Sequence, residues 1–165
     1  MSQDFQSLIQ QLASQDRAEQ AAAAETLARM GIEAQPAAAA LVTALRMADA
    51  PTREWCTAAL EDLGPPLTTQ IADLVNLSRD TSLDAAYWAI TLLGRAGDRA
   101  APTVPTLINL LQSSPESALR ERAAWALGKL GPTAASAVPA LRSAAAGNDP
   151  RLARLAQQAI GAIEL

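Results

Sequence analysis

One sequence pattern recurs five times along the 165-residue chain at a nearly constant interval. Its clearest copy is the segment from Arg120 to Gly131, RERAAWALGKLG. The five copies end at Gly31, Gly64, Gly97, Gly131 and Glu164, so the intervals are 33, 33, 34 and 33 residues. A period of this length is typical of solenoids in which each unit is a helical hairpin that buries its apolar face against its neighbours. The sequence therefore predicts an all-α chain of stacked hairpins.

Aligned columns of the pattern show how such hairpins can stack. Four residues before each closing position the chain has Leu27, Leu60, Leu93, Leu127 and Ile160. Seven and eight residues before it, most residues are small, such as Ala123 and Ala124. These positions share one helix face with the residue just before the closing position, and small residues on that face let neighbouring helices approach closely. Leu93, in the middle repeat, is predicted to be fully buried.

Residues with capping and breaking properties fall at fixed places in each copy. Fifteen residues before each closing position stand Asp16, Asp49, Ser82, Glu116 and Asp149, which predict the start of the second helix. Asp16 and Glu19 have the spacing of a capping box. The closing glycines can adopt the left-handed conformation that ends a helix. Prolines at 36, 65, 66, 102 and 132 are predicted to prevent the helix from continuing.

The predicted domain organisation is a single domain over residues 1–165. Its five repeats are approximately 1–33, 34–66, 67–99, 100–133 and 134–165. Half of the residues are apolar but only 3% are aromatic, so the core is predicted to consist of alanine, leucine and isoleucine.

The repeat resembles the HEAT repeat family, in particular the short variety called PBS-lyase HEAT-like repeats. Residues that match the family pattern are Arg120, Ala123, Ala124, Ala126, Leu127, Gly128, Leu130, Gly131, Val138, Pro139 and Leu141. The resemblance implies an armadillo-type fold, a right-handed α-α superhelix, in which second helices line the concave face and first helices the convex one. The family includes scaffolds, adaptors, bilin lyases and a few DNA-repair glycosylases.

The three tryptophans fall on one stripe of the second helices, opposite the packing stripe. They stand in three successive repeats, and Tyr87 flanks the stripe, although the whole chain has only five aromatic residues. One interpretation is a concave interaction site with charged neighbours, because rigid aromatic side chains are favoured at protein interfaces. The other is that each indole packs across the groove between adjacent second helices. The predicted partner-binding residues are Trp55, Asp62, Tyr87, Trp88, Arg95, Arg122, Trp125 and Lys129.

Residue types that carry catalysis or bind metals are scarce. The chain has no histidine, and its single cysteine, Cys56, falls in the small-residue column of a helix. No glycine-rich phosphate loop appears, and carboxylates such as Glu61 fit a solvated surface. We therefore expect no catalytic residues, no metal and no cofactor, and catalysis is disfavoured. A net charge of −4 gives no reason to expect nucleic acid or an anionic membrane as a partner. The start of the chain does not read as a signal peptide, so the predicted location is the cytoplasm.

The function predicted from these features is a protein-binding scaffold or adaptor that uses the concave face. The alternative is a bilin lyase or lyase subunit that holds a tetrapyrrole in the tryptophan-lined groove, as the family resemblance implies. The partner is expected to be a protein or peptide, and the chain a monomer or a weak homodimer. The homodimer would form through an exposed apolar edge around Leu155, Ile163 and Leu165. The other possibility is that these side chains fold back onto the preceding helix.

Overall fold

A computed structural model of the protein describes the backbone of residues 2–165 and the side chains of residues 5–165. In this part of the chain, ten α-helices follow one another in five pairs, and there is no β-strand. The first helices of the pairs are α1 Ser2–Leu12, α3 Ala38–Ala44, α5 Ile71–Leu77, α7 Val104–Ser113 and α9 Val138–Ala145. The second helices are α2 Arg17–Met30, α4 Ala50–Asp62, α6 Leu83–Arg95, α8 Ser117–Leu130 and α10 Pro150–Ile163.

The helices group into two compact units, and the boundary between them falls inside α6. We call Met1–Ala89 the N-terminal unit and Ile90–Leu165 the C-terminal unit. In the N-terminal unit α1 packs on α2 and α3, α2 packs on α4, and α3 packs on α4 and α5. First helices thus contact first helices and second helices contact second helices, as in a stack of hairpins. A single domain through all five repeats stays a prediction.

The C-terminal unit has the same arrangement within itself. There α7 packs on α8 and α9, while α10 packs on α8 and α9. The contact between α8 and α10 is close, because a Cβ atom on Gly128 would lie 2.9 Å from the Cα of Ala159. Small residues therefore set the spacing of these two helices. The predicted fold class, an all-α solenoid of helical hairpins, is confirmed.

The core consists of leucine, isoleucine and alanine, as the composition predicts. Leu93 is fully buried, which confirms the prediction made for the middle repeat. Leu27, Leu60 and Leu127 in the same column are also fully buried. Ile160 is only partly buried. Among the described residues no further second helix covers the outer side of α10, so the column is less enclosed there.

Glycines at the ends of the second helices turn the chain toward the next pair. Gly31 and Gly131 have φ angles of +54° and +63°, and Gly64 and Gly97 share this left-handed region. Residues with a Cβ rarely adopt such angles, so the predicted helix ends are confirmed. The chain then continues in the 3₁₀ segments Gly31–Ala37, Thr68–Gln70, Gly97–Thr103 and Gly131–Ala137.

The prolines after these glycines act as predicted only at Pro65 and Pro66, which lie in non-helical backbone after α4. Pro36 and Pro102 lie inside 3₁₀ segments and do not interrupt the helical backbone. The φ angle of proline, near −65°, is within the range of a 3₁₀ helix, so the ring is compatible with that conformation. A left-handed glycine stands at or just after the end of each of the first four second helices.

Most of the predicted helix caps are present. The carboxylates of Asp16, Asp49 and Asp149 accept hydrogen bonds from backbone N–H groups in the first turn of the following helix. The prediction is wrong for Glu116, whose side chain makes no capping bond; glutamate is not among the residues preferred at this position. The reciprocal bond of the predicted capping box is also wrong, because the Asp16 N–H donates to Ser14 Oγ at 3.1 Å.

Candidate functional site

The three tryptophans lie on successive second helices, and each is partly buried. Trp55 is on α4, Trp88 on α6 and Trp125 on α8. A partly buried ring has one region that packs on the protein and another that is open to solvent. Both interpretations of the stripe therefore have a physical basis at each tryptophan. The stripe is not open throughout, because Thr91 on α6 is buried.

In the N-terminal unit, the predicted residues lie on α4 and α6. Tyr87 and Trp88 meet edge to face, with ring centroids 6.2 Å apart and an angle of 86° between the rings. Asp62 is exposed in the last turn of α4. The two helices are joined by an ion pair in which Arg53 Nε lies 3.0 Å from Asp84 Oδ2. Both side chains are about half exposed, so this pair contributes little to stability.

In the C-terminal unit, two cationic side chains of α8 lie against the ring of Trp125. The guanidinium carbon of Arg122 is 4.9 Å from the ring centroid, and Lys129 Nζ is 5.7 Å from it. The spacings of three and four residues place all three side chains on one face of the helix. Both distances fall within the range of cation–π attraction. The structure thus brings Arg122, Trp125 and Lys129 together, and we call them the α8 cluster.

Within the C-terminal unit, Trp125 also contacts Gly94 near the end of α6, the preceding second helix. A Cβ atom on Gly94 of α6 would lie 2.6 Å from Cζ3 of the Trp125 ring, closer than real Cβ atoms approach. The ring edge therefore occupies the space that a side chain at position 94 would need. This contact is the packing that the second interpretation of the stripe expects. The sequence signal for it is the Leu-Gly dipeptide at 93–94, which the sequence analysis did not connect with Trp125.

Two further cations, Arg151 and Arg95, belong to the same unit as the α8 cluster. Burial lowers the pKa of Arg122, and the nearby positive charge of Arg151 lowers it further. Arg151 itself pairs with Glu121, with Nε 2.8 Å from Oε2. Arg95, the remaining predicted cation, is partly buried on α6 within the same unit.

Groups that could support catalysis or bind a metal are not prominent. Burial raises the pKa of the Cys56 thiol to about 12, so the thiolate is scarce at neutral pH and the residue is a poor nucleophile. Among the side chains of residues 5–165, no group of three or more cysteine, aspartate or glutamate residues is arranged to hold a metal ion. None of the described helices is both long and apolar enough to cross a membrane.

The N-terminal unit contains a cavity that the sequence analysis missed. Its volume is about 840 Å³, and it lies beside the turns within the first three repeats. Leu12, Ala44 and Met47 supply apolar surface, and Arg46 and Asp80 form an ion pair of 2.9 Å at its edge. The cavity depends on turns that lie far apart in sequence, so no local pattern indicates it.

The predicted apolar edge of the last repeat is present only in part. Ile163 is buried and Leu155 is partly buried, so the prediction is wrong for Ile163. That side chain faces inward because α10 packs on both α8 and α9. Leu165 is fully exposed, and beside it Arg142 pairs with Glu164 at 3.0 Å.

Comparison with solved structures finds chains of similar fold at low sequence identity. An engineered protein superposes with a TM-score of 0.64 at 22% identity, and the match covers 97% of this chain and 79% of that chain. A chain from a structure on microtubule plus-end tracking by XMAP215, CLIP-170 and EB1 gives 0.65 at 16% identity, with coverage of 98% and 75%. The CpcE–CpcF complex of phycocyanin lyase from Nostoc sp. PCC7120 gives 0.67 at 23% identity, with coverage of 96% and 64%. These likenesses show the fold alone.

Sequence comparison identifies the family. No curated protein matches the chain significantly. The family model described as HEAT repeats matches residues 71–161, which is more than half of the chain. That segment contains the residues on which the resemblance to HEAT-like repeats rests, which lie on α8, on the 3₁₀ segment after it and on α9. The chain therefore belongs to the HEAT repeat family.

Proposed function

We propose that this protein is a scaffold module that binds a protein or peptide partner through the exposed surface of its second helices. The observation that carries the proposal is the α8 cluster, in which two cationic side chains lie within 6 Å of the ring centroid of a partly buried tryptophan. Tryptophan and arginine are enriched among the residues that dominate binding energy at protein interfaces. A ring whose edge is held by Gly94 loses little conformational entropy when a partner covers it.

The proposed surface has a part in each unit. In the N-terminal unit it comprises Trp55, Asp62, Tyr87 and Trp88, and in the C-terminal unit Arg95 and the α8 cluster. That these parts form one concave face stays a prediction, as does a cytoplasmic location. Weak self-association through the C-terminal repeat likewise stays a prediction. Of the three residues predicted to form the apolar edge, Leu165 is the one that is fully exposed.

The test compares capture of partner proteins by the wild type and by a triple variant, Trp55→Ala, Trp88→Ala and Trp125→Ala. We expect the triple variant to lose the captured partner, while circular dichroism shows an unchanged helix content. Met47→Ala serves as a matched control, because Met47 is a large, 77% exposed apolar residue outside this surface. Retention of the same partner by the triple variant would contradict the proposal.

Single variants separate binding from packing. Trp88→Ala is expected to weaken partner binding by about 2 kcal/mol or more if the ring is central to the contact. Its free energy of unfolding should then change little. A loss of several kcal/mol of stability, as for truncation of a core tryptophan, would assign the ring to packing instead.

A bilin lyase or lyase subunit is the second candidate. It rests on the likeness of fold to the phycocyanin lyase complex and on the flat aromatic area of the partly buried indoles, which would suit a tetrapyrrole. Incubation with a bilin and a phycobiliprotein subunit tests it. A covalent coloured adduct that forms only in the presence of this chain would favour the lyase, and its absence with an active lyase as positive control would exclude it.

A further inference from the structure

The two units carry opposite net charges. The N-terminal unit has five basic and twelve acidic residues, a net charge of −7, and the C-terminal unit has eight basic and five acidic residues, a net charge of +3. The net charge of −4 for the whole chain therefore conceals a basic region. An acidic ligand is attracted to the C-terminal unit and repelled by the N-terminal unit.

Within the C-terminal unit, the α8 cluster combines charge with an aromatic surface. Arg122 and Lys129 lie 4.9 Å and 5.7 Å from the ring centroid of Trp125. Ala118 lies on the same face of α8 as these three residues, so the face carries no acidic residue of its own. Glu121, on another face of α8, pairs with Arg151.

Arg122 is also repelled by a neighbouring cation, Arg151. Partial burial and, after it, the positive charge of Arg151 lower the pKa of Arg122, so the charged guanidinium is less stable there than in water. An anion that approaches Arg122 and Lys129 would relieve this repulsion. Its carboxylate groups could also accept charge-assisted hydrogen bonds, which are stronger than neutral ones.

We propose that the α8 cluster is the docking site for an acidic peptide segment of the partner, in which apolar residues alternate with carboxylates. The carboxylates pair with Arg122 and Lys129, and an apolar side chain packs on the open part of the Trp125 ring. This inference rests on the proposed function and specifies the chemistry of the partner. A short peptide fits better than a nucleic acid, because the whole chain, with its net charge of −4, repels a long polyanion.

The test measures, by fluorescence anisotropy, how a fluorescein-labelled peptide of alternating glutamate and leucine residues binds to the full chain. We expect saturable binding that weakens with added salt, as screened charges require. Arg122→Gln and Lys129→Gln should each raise the Kd by about tenfold or more, because each removes a cation from a charge pair. A peptide with glutamine in place of glutamate should bind at least about tenfold more weakly than the acidic peptide.

Arg154→Gln is the matched control, because it removes the same charge from an exposed residue of the same unit. An equal loss of affinity for Arg154→Gln would overturn the inference, since binding would then follow net charge alone. The inference would also be overturned if the glutamine peptide bound as tightly as the acidic peptide, or if a single-stranded oligonucleotide bound more tightly. It would likewise be overturned if sedimentation showed a dimer of this chain that the peptide does not dissociate, because a second copy would then occupy the site.

The outcomes separate this inference from the proposed function. If the triple tryptophan variant loses its partner but Arg122→Gln and Lys129→Gln leave partner and peptide binding unchanged, the scaffold function stands and the acidic-peptide inference fails. If the triple variant retains its partner, the proposed function itself fails.

Discussion

The two units differ at one position near the end of their second helices, three residues before the closing position of the sequence repeat. The N-terminal unit has Ala28 and Glu61 there, and the C-terminal unit has Gly94, Gly128 and Gly161. A Cβ atom on Gly94 or Gly128 would lie 3.0 Å or 2.9 Å from the Cα of a residue on the next second helix. In the C-terminal unit, glycine is therefore required where the neighbouring backbone approaches, and in the N-terminal unit this column admits a side chain.

A column that is the same in both units gives the largest expected effect. Leu60 in the N-terminal unit and Leu93 in the C-terminal unit occupy equivalent positions, and both are fully buried. Leu60→Ala and Leu93→Ala should each lower the free energy of unfolding by about 2–5 kcal/mol, since each leaves a cavity in the core. Urea denaturation followed by circular dichroism measures both losses. A loss below about 1 kcal/mol for either variant would show that its core relaxes around the cavity.

The glycine column should distinguish the two units. Gly94→Ala and Gly128→Ala are each expected to destabilise the protein by about 1–3 kcal/mol, because the added methyl group overpacks the contact between second helices. Glu61→Ala is the control from the N-terminal unit, where an exposed side chain already occupies this column, and should change stability by less than about 0.5 kcal/mol. Neutral Gly94→Ala and Gly128→Ala variants would mean that the helices can separate without cost.

Features that depend on residues close in sequence could be predicted without the structure. The left-handed glycines, the capping aspartates and the buried leucine column follow from backbone preference and from helical spacing. The glutamate at 116 was assigned to a cap by position alone, although its side chain is longer than those that cap well. The 3₁₀ segments do not follow from the prolines alone, because the φ angle of Pro36 and Pro102 is compatible with a 3₁₀ helix as well as with a break in the helix.

Features that depend on contacts between repeats could be predicted only in part. The sequence places Trp125 on the face of α8 opposite the packing stripe, but how far its ring packs depends on Gly94, which lies one repeat earlier. The burial of Ile163 depends in the same way on the packing of α10 against α8 and α9. For the candidate site, the pattern therefore supplied the residues, and the spacing between helices decides how much of each is available to a partner.

Helix capping offers a smaller effect within the C-terminal unit. Oδ1 of Asp149 accepts hydrogen bonds from the N–H groups of Arg151 and Leu152 at 3.0 Å and 3.1 Å, whereas Glu116 makes no such bond. Asp149→Ala should cost about 1 kcal/mol, the usual effect of removing an N-cap. Glu116→Ala, the equivalent change in the preceding repeat, should be close to neutral. Thermal unfolding of both variants measures the difference, and equal shifts in Tm would contradict the assignment of the cap.

Gly161 provides the smallest change and the clearest contrast with the rest of its column. It lies in the last turn of α10, its φ angle is ordinary for a helix, and a Cβ atom added there would meet nothing within 4 Å. Alanine favours a helix over glycine by up to about 1 kcal/mol, and less near a helix end. We therefore expect Gly161→Ala to raise the free energy of unfolding by about 0.5 kcal/mol, whereas Gly128→Ala should lower it. The measurement is the Tm of the two variants under identical conditions. If Gly161→Ala were as destabilising as Gly128→Ala, glycine in this column would be needed for the conformation of the helix itself, and close approach of the next helix would no longer explain the difference between the two units.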